Sequence, residues 1–410
     1  MASKTHVPLH GRNRGRDLAG IRVRKGTAPS PWKPQDIETN YNFPDGDGEG
    51  QSIAIAQFNG GYFEDDLSAY CQEFGKEPPD VQLIAVDDTL ACTKEKILAL
   101  QNPDLRKAKL ERSFEVMMDL EIIAGLCPKA NISMYFSIFT QKGWVDLLEK
   151  VIAAKPRPVV LSISWGVAEY DKPWTPDVMD QIDNELKKVS QRGITTCVAS
   201  GDDGWKSLVD DDFAHVTFPS SSPHVMSVGG TMLKSGDEVA WNEDPIPDVD
   251  GEKYGGGATG GGVSNHFPRP RWQNNVHIAS LNANRFDGRV VPDVSALAGE
   301  PYYYLRFLNM EWSAGGASAS TPVWAALIAR INAQLPRNKQ QRFLTPLLYK
   351  KLKKLKGITV GKAAFRDIKI GNNAIYHHPD NGYKAGPGFD AVTGWGVPNG
   401  KKLLKCLTKI

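Results

Sequence analysis

In the stretch "SFEVMMDLEIIAGLCP", Glu115 and Asp119 are four residues apart, so on a helix both carboxylates share one face. Their neighbours Val116, Met117, Met118, Leu120, Ile122, Ile123 and Leu126 are too apolar for a wholly solvated helix. Two acids held close in a low-dielectric setting cannot both ionise easily and tend to share a proton. Such a pair can accept a proton from a hydroxyl and return it to a leaving amine. A helix edge with ordinary salt bridges would carry the same spacing. Glu121 is a third acid nearby, offset onto another face. The hydroxyl stands in "GGASASTP" (315–322), where small residues crowd Ser318 and the apolar run "VWAALIARIN" follows. Ser318 reads as a nucleophile on a strand-to-helix turn, or as a small residue where backbones approach. Pro322 suits the first turn of a helix. The third piece is Asp202 in "ASGDDG", directly after the strand-like "ITTCV". An acid at the carboxyl end of a strand is well placed for function, although Asp-Asp-Gly is also a turn signal. None of the eight histidines stands in an H-G-T-like helix start, so no imidazole base is evident.

The elements that must position these groups follow from periodicity. Strand-like runs occupy 51–58, 81–86, 131–138, 158–166, 194–201 and 225–232, and helical patterns lie between them at about 64–74, 113–126, 143–154 and 175–191. This alternation predicts a mainly parallel sheet with helices on both faces and a site beyond the carboxyl ends of the strands. Residues 235–315, rich in Gly, Pro and Asn, read as long loops. After Pro322 two helices are expected, then another loop at 366–396. "GGGATGGG" (255–262) lacks the strand, lysine and helix of a phosphate loop and reads as backbone lining a cleft. No internal repeat or internal domain boundary is evident.

A chain of 410 residues, 41% hydrophobic, is long enough to bury a large core. A net charge of +2 gives no overall field for nucleic acid or an anionic membrane. No apolar run reaches the ~18 residues of a membrane span. The five cysteines include no C-x-x-C, which argues against a zinc site and against a dense disulfide framework. Residues 1–30 carry seven Lys and Arg against Asp17 and lack the apolar centre of a signal peptide. They read as a basic leader or linker, or the remnant of a propeptide, ahead of one catalytic domain spanning 31–410.

Together these pieces resemble the sedolisins, or serine-carboxyl peptidases, and most closely their kumamolisin-like members. The motifs that carry the resemblance are "EVMMD", "GDDG" and "GGASASTP", accompanied in family order by "SISWG", "FPSSSP", "VGGT", "TGGGVS" and "PDVS". The resemblance runs from about Pro31 to Leu404. It implies a subtilisin-like α/β fold and an acid-active endopeptidase in which Ser318 is the nucleophile. Glu115 would be the general base and acid, Asp119 its proton-sharing partner, and a protonated Asp202 an oxyanion donor. Ala317, Asp203 and Ala258 depart from the family pattern, as do Gln57, where a glutamate is usual, and Thr217, where some relatives have aspartate. These departures bear on specificity and pH optimum.

Near the C-terminus, "RDIKIGNN" and "AGPGFDAVTGWG" pair two aspartates with tight glycine turns, an oxygen-rich set suited to a hard cation as well as to ordinary turns. The resemblance implies one structural Ca²⁺ held by the side chains of Asp367 and Asp390 and the carbonyls of Ile368, Gly386 and Gly388. It also implies polypeptide substrates, a monomer, no nucleic-acid or membrane partner, and an extracellular or otherwise acidic setting. Two rivals stand beside it: a histidine-based subtilase, for which no suitably spaced histidine is evident, and a catalytically inactive binding protein of the same fold.

Overall fold

The computed structural model describes residues 30–244, 246–247, 253–254, 256–340, 342–352, 357–375 and 381–410. Residues 1–29 of the basic leader, and His377 and His378, lie outside them. The central sheet is built from β1 (Ser52–Phe58), β2 (Val81–Ala85), β3 (Asn131–Ser137), β4 (Val160–Ile163), β5 (Thr195–Ala199), β6 (Met226–Lys234), β7 (Asp237–Ala240) and β8 (Val294–Leu297). Its order is β8-β6-β5-β4-β1-β3-β2, all parallel, with β7 returning antiparallel on β6.

The period of two along each strand divides the core. Ile53 and Ile55 of β1 pack into one apolar cluster with α1 (Glu64–Glu73), α2 (Pro103–Leu126) and α5 (Ala317–Gln334). Ala54, Ala56 and Phe58 face the other cluster, with α3 (Gln141–Ala153) and α4 (Pro176–Gln191). Helices therefore cover both faces, as the alternation predicts. Gln57 has the parity of Ile53 and Ile55, which turns its amide toward α2.

The boundaries differ from expectation in three places. Helix α2 begins at Pro103 rather than near 113: the Asn102 side chain accepts from Leu105 N–H at 3.0 Å and Pro103 takes the first position. The extra turns are rich in charge and mostly exposed or half-buried, so hydrophobic periodicity does not report them. Residues 235–315 are not only loop. Strand β8 extends the sheet, and β9 (Tyr303–Phe307) with β10 (Met310–Ala314) forms a hairpin leading straight into Gly315. Third, α5 starts at Ala317, so Pro322 sits inside the helix instead of at its first turn.

Candidate active site

Four chain segments meet where β1, β4 and β5 end. Helix α2 brings Glu115 and Asp119, 7% and 0% exposed, to the sheet face below β1. Ser164 and Trp165 follow β4, Asp202 follows β5, and Ser318 lies in the first turn of α5, all fully or nearly fully buried. The Asp119 carboxylate is held at both ends: Gln57 Nε2 donates to Oδ2 at 2.8 Å, and Ser164 Oγ lies 2.7 Å from Oδ1. Trp165 Nε1 donates to Gln57 Oε1 at 3.0 Å, which fixes the amide orientation. Ser164 Oγ also lies 3.2 Å from the Ser318 carbonyl, and Ser318 Oγ lies 3.4 Å from the Ser164 carbonyl.

Asp202 reaches the nucleophile loop from the other side. Its Oδ1 accepts the Ala317 N–H at 2.7 Å, one of the N–H groups that a helix start leaves without an intrahelical partner. This carboxyl thus caps α5 from a distant strand, since Gly316 has no side chain to do so. Gly316 adopts φ +101°, and a Cβ there would stand 2.7 Å from Asp202 Oδ2; at Gly315 it would stand 1.8 Å from the Ala298 carbonyl. Close approach of backbones is therefore a real feature of "GGAS", and it is what brings Asp202 to Ser318. The segment around 258–260 pairs with the same turn, through Ala258 N–H to Asp202 O at 2.8 Å and Gly260 N–H to Gly201 O at 2.7 Å. The described part of the glycine-rich stretch thus pairs with the turn that carries Asp202. Beside Asp202 a small cleft opens, walled by Val167, Ala168, Asp171, Asp203, Leu208 and Thr217.

The structure thus brings Asp119, Asp202 and Ser318 together, with Glu115 one helical turn before Asp119. Glu121, as its offset implied, faces elsewhere: its Oε2 accepts the Arg306 N–H at 2.8 Å and ties α2 to the hairpin ahead of Ser318. Among the described residues no histidine is hydrogen-bonded to Ser318; His215, His224 and His266 pair with Asp211, Asp183 and Asp180. The five cysteines are unpaired thiols. Ser164 and Trp165 are site residues that the sequence offered only as part of "SISWG".

Burial pushes the Asp119 carboxyl up to about 7, against the opposing pull of its bonds from Ser164 and Gln57. Burial also raises Glu121, Glu169 and Asp183, the last to about 6. In each case the folded chain holds a proton that the unfolded chain has released, because a free carboxyl titrates near ~4. Their stabilisation is complete below about pH 4 and is lost as the pH rises through each raised value, about 6 for Asp183 and about 7 for Asp119. For Asp119 alone the loss is on the order of 4 kcal/mol. His224, lowered by burial to about 4, acts in the opposite sense between about pH 6.5 and 4. Four carboxyls outweigh one imidazole, so the melting temperature at pH 5 should exceed that at pH 8 by about 5 °C or more. A curve that is flat, or rises toward pH 8, would show that these carboxyls do not carry the pH dependence of stability.

The two C-terminal aspartates clasp one turn. Asp390 Oδ2 accepts the Gly386 N–H and Asp367 Oδ2 the Gly388 N–H, both at 2.9 Å. Asp390 Oδ1 accepts Val392 and Thr393 N–H groups, while the buried Asp367 Oδ1 has no hydrogen-bond partner among the described residues. No cluster of three or more His, Cys, Asp or Glu positioned for a metal occurs among the described residues. A site made of two carboxylates and backbone carbonyls would not form such a cluster. The donors are all hard oxygens, and an orphaned carboxylate oxygen among them fits a Ca²⁺-type ion.

Residues 102–396 match the model of the subtilase family. The chain is 34% identical over 392 residues to kumamolisin of Bacillus sp. (strain MN-32), an alignment covering 93% of this chain and 65% of that one. It is 30% identical over 404 residues to tripeptidyl-peptidase 1 of Homo sapiens, covering 91% and 64%. It thus spans just under two thirds of the length of these curated relatives. Among solved structures, Pseudomonas sedolisin (serine-carboxyl proteinase) complexed with two molecules of pseudo-iodotyrostatin superposes with a TM-score of 0.72 at 24% identity, covering 93% of this chain and 98% of that one. The shared fold includes the parallel sheet described above. No described helix is long and apolar enough to cross a membrane.

Proposed function

The chain belongs to the subtilase family, and from that premise we propose that it is a serine-carboxyl endopeptidase that cleaves polypeptides at acidic pH. What supports this reading is the convergence of Ser318 with two buried carboxyls, Asp119 through Ser164 and Asp202 through the Ala317 N–H. Ser318 Oγ attacks the scissile carbonyl once its proton passes to Glu115, which shares it with Asp119 and later gives it to the leaving amine. Rotation of the Ser318 side chain from the Ser164 carbonyl toward α2 precedes this step. Protonated Asp202, together with backbone N–H groups at the start of α5, stabilises the oxyanion. The cleft beside Asp202 takes a substrate side chain against Leu208, Asp203 and Thr217, so two of the sequence departures fall where preference is set. A monomer in an extracellular or acidic compartment fits this chemistry. The test is casein hydrolysis and fluorophosphonate labelling at pH 4 and pH 7, for the parent and for Ser318→Ala. Turnover and labelling at pH 4 that vanish in Ser318→Ala are expected. Peptide binding without any Ser318-dependent cleavage would replace this reading with an inactive binding protein of the same fold.

The same reading includes one structural Ca²⁺, held by the Asp367 and Asp390 carboxylates and the Ile368, Gly386 and Gly388 carbonyls. Bound there, the ion would tie the turn at 386–390 to the segment following residue 366. EDTA should then lower the melting temperature by about 5 °C or more and open 366–396 to proteolysis. Asp390→Ala should reproduce this without EDTA. Identical melting curves in EDTA and in millimolar Ca²⁺ would remove the ion from the proposal.

A further inference from the structure

The Ser164 hydroxyl has two acceptors within reach, Asp119 Oδ1 at 2.7 Å and the Ser318 carbonyl at 3.2 Å, and a single proton to give. The second acceptor is special. In α5 the Ser318 carbonyl would receive the N–H of residue 322, but that residue is Pro322, which has none. The first acceptor is constrained as well. Trp165 can only donate, so Gln57 presents Oε1 to it and Nε2 to Asp119, which makes Asp119 Oδ2 an acceptor. A proton that Asp119 holds, rather than shares with Glu115, therefore sits on Oδ1, where Ser164 Oγ is its partner. Ser164 then accepts from Asp119 and passes its own proton on to the Ser318 carbonyl. When Asp119 ionises, Ser164 turns its proton back to Oδ1 and the Ser318 carbonyl loses this donor.

We infer that Ser164 is a positioning residue that couples the proton on Asp119 to the first turn of α5, and that Gln57 gives this hydrogen-bond chain its direction. The inference rests on the peptidase reading above. The ionisable groups of the site are Glu115, on the same helix as Asp119, and Asp202, across the first turn of α5. Strand β1 and the segment after β4 bring the neutral Gln57 and Ser164 to Asp119, with Trp165 behind Gln57. All three are 0–1% exposed, so the chain is closed to bulk water. Fixing the Ser318 carbonyl fixes the backbone that carries the nucleophile, and small misplacements of a nucleophile lower rate more than binding.

The test measures kcat and KM from pH 3 to 8 for the parent, Ser164→Ala, Ser164→Thr, Gln57→Glu and the Gln57→Glu/Ser164→Ala pair. Ser164→Ala should lower kcat by about tenfold to a hundredfold with KM within about twofold, and Ser164→Thr, which keeps the hydroxyl, should recover most of it. The alkaline limb of kcat should move upward in Ser164→Ala, because ionised Asp119 has lost a donor. A packing role alone would lower the melting temperature and leave that limb in place. A carboxyl at position 57 lets the proton reside on Asp119 Oδ2, so Gln57→Glu should lower kcat by about threefold or more. In that background Ser164→Ala should have less effect than in the parent, a non-additive cycle. The inference is overturned if Ser164→Ala stays within twofold of the parent at every pH, or if folded Ser164→Thr is as impaired as Ser164→Ala. Should Ser164→Ala not fold, Gln57→Glu decides: parental kcat with an unmoved alkaline limb overturns it. A parent without Ser318-dependent turnover would instead fault the peptidase reading.

Discussion

Glu115→Gln should lower kcat by about 10⁴-fold and leave the melting temperature near that of the parent. The replacement keeps the length and shape of a side chain that is 7% exposed, so packing along α2 is preserved. What disappears is the proposed proton acceptor, and a serine hydroxyl without one is a weak nucleophile. Asp119→Asn is expected to lose about 10²-fold by a different route. Gln57 Nε2 requires an acceptor at the Oδ2 position, so the oxygen of the introduced amide settles there and its NH₂ faces Ser164. That geometry imitates protonated Asp119 at every pH but cannot share a proton with Glu115. The same variant removes a buried charge, so its stability at pH 8 should rise relative to the parent. Near-normal kcat in Glu115→Gln with unchanged KM would show that the base has been misassigned.

Much of the scaffold was legible because each buried strand and helix writes its period into the chain. Residues 51–58 and 131–138 are apolar runs between turn signals, and they pair in register from Ser52 and Asn131 to Phe58 and Ser137. The i, i+4 spacing of Glu115 and Asp119 likewise survives into the site, because a helix makes that spacing a shared face. Contacts between distant segments have no such signature. Ser164 meets Asp119 and Ser318 across 45 and 154 residues. One of those contacts is to a carbonyl, which any residue could supply. The offset of Glu121 places it away from the acid pair, yet its partner is a backbone N–H in the hairpin at 303–314, a segment whose composition is that of a loop. That segment misled because Gly and Asn also make tight hairpin turns: Leu308 and Asn309 take positive φ there, and Asp66 accepts both of their N–H groups. Pro322 misled in the other direction. It marks a helix interior, tolerated because Ser164 Oγ stands near the carbonyl that proline leaves unserved.

In the proposed mechanism Asp202 carries the sharpest dependence on pH. Its Oδ1 is committed as acceptor of the Ala317 N–H, so a proton on this carboxyl belongs to Oδ2, the oxygen that faces Gly316. A donor in that place meets the charge that develops on the substrate carbonyl, and removing one such donor costs about 10²- to 10³-fold in kcat. Asp202→Ala should show a loss of that size, with a lower melting temperature because the Ala317 N–H loses its buried acceptor. Asp202→Asn separates the two roles. Its amide oxygen accepts from Ala317 as Oδ1 does, and its Nδ2 donates whatever the pH. If Asp202 is the proposed donor, the parent loses oxyanion stabilisation as this carboxyl ionises, since an ionised carboxylate repels the charge it should hold. The asparagine variant should therefore keep measurable activity and lose a smaller fraction of kcat/KM between pH 4 and pH 7 than the parent does. The decline will not vanish, because Asp119, pushed up to about 7, still titrates within that window's upper end. A variant that folds but is inactive at every pH, or one that declines as steeply as the parent, would remove Asp202 from the oxyanion site and leave it as the cap of α5.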